Sequence, residues 1–70
     1  MSHGLELEYA RVKTSRGESR GLVFRLAKSF VLKRPIGPYA AKVRTFESEA
    51  KLDAWLRQRR WVLEKVRWFS

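Results

Sequence analysis

Seventy residues carrying sixteen Lys and Arg against seven Asp and Glu, a net charge of +9, describe one small basic domain near the lower size limit for a core that folds alone. A hydrophobic fraction of 44% with 13% aromatics excludes a disordered chain. The absence of Cys and a single imidazole, His3, exclude a disulfide framework and a Cys/His zinc site.

The longest uninterrupted apolar run is three residues, too short to span a membrane. The short acidic start lacks the basic and apolar parts of a secretory leader, so a cytoplasmic or nucleoid-associated protein is expected. There is no Asn, one Gln (Gln58) and no Met beyond Met1, a depletion that fits a thermophile.

The chain reads as a single domain over 1–70, with residues 1–4 frayed. In "LELEYARVKT" (5–14), Leu5, Leu7 and Tyr9 alternate against Glu6, Glu8 and Ala10, the pattern of a half-buried strand. "SRGESRG" is a turn, with Gly17 and Gly21 able to take positive φ. In "LVFRLAKSFVLK", Leu22, Phe24, Leu26, Phe30 and Leu32 share strand parity, broken by Lys28, and one strand is expected over 22–33. Helical spacing of Val23, Leu26, Ala27, Phe30 and Val31 is the competing reading. "RPIGPY" is a firm break. "YAAKVRTF" then alternates again, with Tyr39, Ala41 and Val43 inward and Lys42 and Arg44 outward.

After this third strand the period changes. "TFESEAKLDAWLRQRR" offers Thr45 or Ser48 as a cap, acids in the first turns and Arg57, Arg59 and Arg60 at the end, as the helix dipole prefers. Leu52, Trp55 and Leu56 form its buried stripe. The segment 61–69 has two readings. As a continuation it gives one long helix over 47–69, with Arg59 in the apolar face and Trp61 and Trp68 on the polar side. As a strand rich in Val and aromatics it removes both conflicts and is preferred. The expected fold is therefore α+β: a small curved antiparallel sheet of three strands, or four with 61–69, backed by one helix at about 47–60.

Charge is unevenly placed. Residues 47–70 hold six bases and four acids, whereas residues 1–46 hold ten bases and three acids. The helix is nearly balanced, with Asp53–Arg57 and Arg60–Glu64 at pairing distance along it. The excess lies on the sheet half. Arg11, Lys13, Arg16, Arg20, Arg25, Lys33, Arg34, Lys42 and Arg44 are the candidate phosphate contacts. Arg25, Lys42 and Arg44 take outward parity and would form a basic stripe on the open sheet face. Ten of the sixteen bases are Arg, suited to bidentate phosphate recognition.

Phe24, Phe30, Phe46 and Trp55 read as core. Trp61 and Trp68 would stack on bases, line a self-association surface or complete the core. No catalytic constellation, metal-ligand spacing or Gly-rich phosphate loop is present, so no enzyme, cofactor, metal or small-molecule substrate is expected.

The order of three strands followed by "VRTFESEAKLDAWL" resembles the arm-binding domain of tyrosine recombinases and the plant ethylene-response-factor DNA-binding domain. The step into the helix carries the resemblance through Thr45, Phe46, Ser48, Ala50 or Ala54, and Trp55, and it covers about residues 20–58. It implies major-groove binding through the sheet, with Arg25, Lys42 and Arg44 outward. The expected function is nucleic-acid binding with low sequence selectivity, DNA ahead of RNA. The alternatives are an assembly module using Trp61, Trp68 and Phe69, as a homo-oligomer or on a ribosome or virion, and adhesion to anionic membrane surfaces.

Overall fold

The computed structural model describes residues 7–68. Its elements are β1 (Glu8–Lys13), β2 (Ser19–Arg25), β3 (Phe30–Gly37), β4 (Ala40–Phe46), α1 (Glu49–Gln58) and β5 (Val62–Arg67). The strands form one open antiparallel sheet in the order β4-β3-β2-β1-β5. The first four make a meander. The chain then returns through α1 across one face, and β5 pairs with β1 on the far edge.

The turns follow local chemistry. Gly17 takes φ +84 and donates its N–H to the Thr14 carbonyl, while the Thr14 hydroxyl accepts from the backbone of Arg16 and Glu18. The expected single strand over 22–33 is instead two. It folds back between Leu26 and Ser29, whose N–H and carbonyl meet at 2.8 Å. Lys28, the residue that broke the alternation, sits in that turn, and no Gly or Pro announces it.

The core lies between α1 and one sheet face. Ala10, Val12, Val23, Phe30, Leu32 and Phe46 from the strands meet Leu52 and Leu56 from the helix, all buried. Full burial of an aliphatic or aromatic side chain stabilises by about 1.5–3 kcal/mol. Trp55, Trp61, Leu63 and Trp68 pack half-buried around this cluster.

The faces of β1, β2 and β4 are opposite to the sequence reading, whereas Phe30 and Leu32 of β3 face the core as expected. Ala10 and Val12, rather than Leu7 and Tyr9, point under the helix, and Val23 does so rather than Leu22 and Phe24. Leu22 and Phe24 stand on the open face, Phe24 half-buried. Val43 is 59% exposed and Tyr39, in the β3–β4 turn, fully so. Arg25, Lys42 and Arg44 pair across the sheet with Phe30, Arg34 and Leu32, which places them on the helix side. Slipping the facing of a strand by one residue inverts every side chain, and here both parities carry apolar residues. Gly21 opposes Val12 on the helix side, where a Cβ would lie 2.4 Å from the Lys33 carbonyl oxygen. Small residues occupy the core positions that hydropathy gives to their larger neighbours.

Helix α1 is bounded at both ends. Ser48 caps it, its hydroxyl accepting from Lys51 N–H at 3.2 Å. At the other end Arg60 adopts φ +59, its N–H reaching the Arg57 carbonyl and that of Trp61 the Leu56 carbonyl, each at 3.0 Å. This double bond pattern is a left-handed helix stop, and it excludes the long-helix reading of 47–69.

Neither expected pair forms: Asp53 and Arg57 do not meet although both lie in α1, and Arg60 is outside the helix while Glu64 belongs to β5. Glu47–Lys51 and Glu49–Lys65 pair instead. No helix among the described residues is long and apolar enough to cross a membrane. The expected fraying at 1–4, and Phe69, lie outside the described residues.

Candidate nucleic-acid interface

On the helix side, alternation along β3 gives Phe30, Leu32 and Arg34, and along β4 Lys42, Arg44 and Phe46, paired as Phe30↔Phe46, Leu32↔Arg44 and Arg34↔Lys42. The apolar half of each strand lies under α1. The basic half continues where the helix has ended. Residue 59, one helical turn after Trp55, stacks back over it. The Arg59 guanidinium carbon lies 3.8 Å from the Trp55 ring centroid, and the same group donates to the Trp55 carbonyl oxygen at 3.2 Å.

Arg44 approaches the same indole at 5.4 Å and Phe46 at 5.7 Å, and Arg34 lies 5.0 Å from the Trp61 ring. The rings themselves form a chain, Phe46 to Trp55 at 5.6 Å and Trp55 to Trp61 at 5.7 Å, both edge-on. Such contacts hold a guanidinium by its face and leave its N–H edge free to donate. The result is a cavity of about 220 Å³ lined by Leu32, Trp55 and the β4 chain at Val43, with Arg34, Lys42, Arg44 and Arg59 around it.

Among the described residues, no carboxylate lies within 4 Å of any of these four cations. The acids that pair lie elsewhere: Glu8 on Arg25, Glu18 on Arg20, Glu47 on Lys51, Glu49 on Lys65 and Glu64 on Arg11 and Lys13. The Lys13 ammonium, hydrogen-bonded to Glu64, holds that carboxyl below its ordinary value, with Arg11 adding to the effect. Lys51 does the same to Glu47 through a hydrogen bond and its charge.

The nine sequence-predicted cations are thus divided. Arg34, Lys42 and Arg44 share the cavity just described. Arg20 and Lys33, with Arg34, line a neighbouring hollow of about 590 Å³ at the start of β2 and the end of β3, the sheet end that carries the β1–β2 and β3–β4 hairpin turns. Arg16 stands at the β1–β2 tip. Arg11 and Lys13 lie on the open sheet face, held by Glu64. Arg25 is at the opposite end of the helix side, 3.4 Å from Glu8 and within 6.0 Å of the Phe30 and Trp68 rings. The expected stripe of Arg25, Lys42 and Arg44 on the open face is therefore absent.

Arg59 was missed as a site residue, although its four-residue spacing from Trp55 was visible. Trp61 and Trp68 bracket β5 and pack against the core, Trp68 stacked on Phe30 at 5.8 Å. No family model, curated protein or solved structure matches this chain.

Proposed function

We propose that the protein binds nucleic acid, DNA ahead of RNA, through phosphate contacts centred on the cationic end of the helix side. The observation that carries this reading is the convergence of Arg34, Lys42, Arg44 and Arg59 on one cavity with no carboxylate within 4 Å among the described residues. Concentrating like charge opposes folding, and a polyanionic partner offsets that cost. Arg20 and Lys33 extend the basic surface around the hairpin end.

Low sequence selectivity follows from the side chains available. Phosphate contacts position a protein without reading bases, and the chain holds no Asn and one Gln for bidentate adenine contacts. The order of DNA before RNA is carried only by the resemblance of the strand-to-helix step to sheet-type DNA-binding domains, not by their mode of docking. Docking by an open sheet face is disfavoured, because Arg25, Lys42 and Arg44 are turned to the helix side.

With about four to six phosphates contacted, log K for duplex DNA against log[salt] is expected to fall with a slope of roughly −4 to −5. A slope shallower than about −2, or no binding at low salt, rejects nucleic acid as the partner. Assembly through Trp61 and Trp68 is weakened by their packing against the core. A self-association surface is better sought on the open face, where Tyr9, Leu22, Phe24 and Val31 lie uncovered by any described element. Sedimentation alongside the titration measures it.

A further inference from the structure

We infer that the cavity between Trp55, β3 and β4 takes a terminal phosphate monoester of a nucleic-acid strand, rather than a phosphodiester within it. This inference rests on the nucleic-acid reading and specifies what the four cations hold.

Size argues first. At about 30 Å³ per liquid water, a cavity of about 220 Å³ has room for one phosphate group with a few waters.

Charge argues next. A diester carries one negative charge, whereas a terminal monoester carries about −1.5 to −2 near pH 7 and offers three strong acceptor oxygens. Four cations converging from β3, β4 and the end of α1 are in excess for one diester and better matched to a dianion. Three are guanidiniums, whose fork geometry suits bidentate contact with phosphate oxygens.

Pre-organisation argues last. Arg59 lies against the Trp55 face at 3.8 Å, with Arg44 at 5.4 Å from the same ring and Arg34 on Trp61 at 5.0 Å. Long cationic side chains ordinarily lose rotamer freedom on binding; here aromatic contacts have already restricted them. The same contacts occupy the indole surface that a base would need for stacking. The site therefore recognises the anion and leaves the base unread.

The test compares one short oligonucleotide bearing a 5′-phosphate, a 3′-phosphate or hydroxyls at both ends, together with a phosphoserine peptide. Affinity and tryptophan fluorescence are followed at fixed salt. One phosphorylated end is expected to bind about tenfold tighter than the hydroxyl form, equivalent to about 1.4 kcal/mol. Which end does so identifies the polarity of the strand. Arg44→Lys and Arg59→Lys keep the charge and lose the fork, and each is expected to shrink the preference several-fold while the hydroxyl oligonucleotide still binds.

Circular dichroism checks the fold of both variants; should either unfold, Lys42→Gln and Arg34→Lys carry the same comparison. Equal affinity of all three oligonucleotides, with a steep salt slope, overturns the terminal-phosphate site and leaves the nucleic-acid reading standing. Absence of binding by any oligonucleotide overturns both. A phosphoserine peptide that binds as tightly as the best oligonucleotide also overturns the proposal, because the monoester then needs no nucleic acid attached.

Discussion

The two ends of the helix-side surface are built from the same parts. At one end Arg25 lies near Phe30 and Trp68, and Lys65 lies 5.4 Å from the same indole. At the other, Arg34, Arg44 and Arg59 lie on Trp61, Phe46 and Trp55. The difference is the carboxylate. Glu8 meets Arg25 in an ion pair partly shielded from water and Glu49 meets Lys65 in an exposed one, whereas no acid among the described residues reaches the second cluster. An arginine on an aromatic ring is thus no signature of a site by itself. On the proposed reading, the missing counter-charge is what separates an anion-binding end from one that closes the sheet.

The largest expected effect breaks the second end outright. Trp55→Ala removes the ring that joins Phe46 to Trp61 and supports two arginines, and truncation of a buried Trp typically costs about 3–5 kcal/mol. Trp55 is half-buried, so a loss near the lower figure is expected by chemical denaturation, with nucleic-acid affinity falling as well. Trp55→Phe should cost far less, since it keeps a ring and deletes an indole N–H that is buried without an acceptor. Comparable losses for Ala and Phe would show that the polar atom, rather than the ring, matters.

A charge-matched comparison separates the ends next. Arg34→Ala with Arg59→Ala is expected to weaken DNA binding at least tenfold and flatten the salt slope by roughly 2, at little cost in melting temperature. Arg25→Ala with Lys65→Ala removes the same charge where carboxylates lie close, so it should lower stability and leave affinity closer to wild type. Equal affinity losses would mean that net charge alone attracts the nucleic acid.

A smaller effect, opposite in sign, is expected at the helix stop. Arg60 holds φ +59 without being Gly, a conformation that costs an ordinary residue about 1 kcal/mol. Arg60→Gly should raise the melting temperature by a few degrees. An unchanged or lower value would show that the arginine side chain contributes more there than its backbone costs.

The smallest effect is the pH dependence at the paired acids. Lys13 and Lys51 hold Glu64 and Glu47 below the ordinary carboxylate value of 4.5. A depressed folded-state pKa contributes stability that is present above the unfolded value and lost as pH falls through the folded one. Denaturation midpoints should therefore decline only below about pH 4.5, and slightly, because both carboxylates are in solvent. Glu64→Gln should blunt that decline without altering DNA binding at neutral pH.

Much of the element order was legible, and the facing of β1, β2 and β4 was not. The change from alternating to helical period at Ser48, the acids of the first turn and the aromatic run after Arg60 gave the helix bounds and the last strand. These are local signals, and local hydrogen bonds realise them. Facing depends on tertiary packing. In "LVF" and "FVL" both parities are apolar, so alternation has no sign, and Ala10 and Gly21 reach the helix side because of what they lack. The cationic cavity was half legible. Arg34, Lys42 and Arg44 were candidates by composition, but their grouping with Arg59 requires the return of α1 over β4, which no local pattern encodes.

That return also orders assembly in time. Every pairing among β1 to β4 joins neighbours in sequence, whereas the β1–β5 ladder brings together residues such as Arg11 and Glu64, 53 positions apart along the chain. Loop closure costs only about 0.6 kcal/mol per doubling of length, so the long connection is tolerable at equilibrium but statistically late. The meander lacks only the backbone partners of β1's outer edge before β5 arrives, while the apolar face under Leu52 and Leu56 stays wet until α1 does. Arg59 and Trp61 hang between these last two elements, so the cavity forms only when the clasp shuts. If the proposed site binds an anion, its apparent affinity would be the intrinsic affinity multiplied by the closed fraction, and the bound anion would tighten the seam between β1 and β5 from the far side of the sheet.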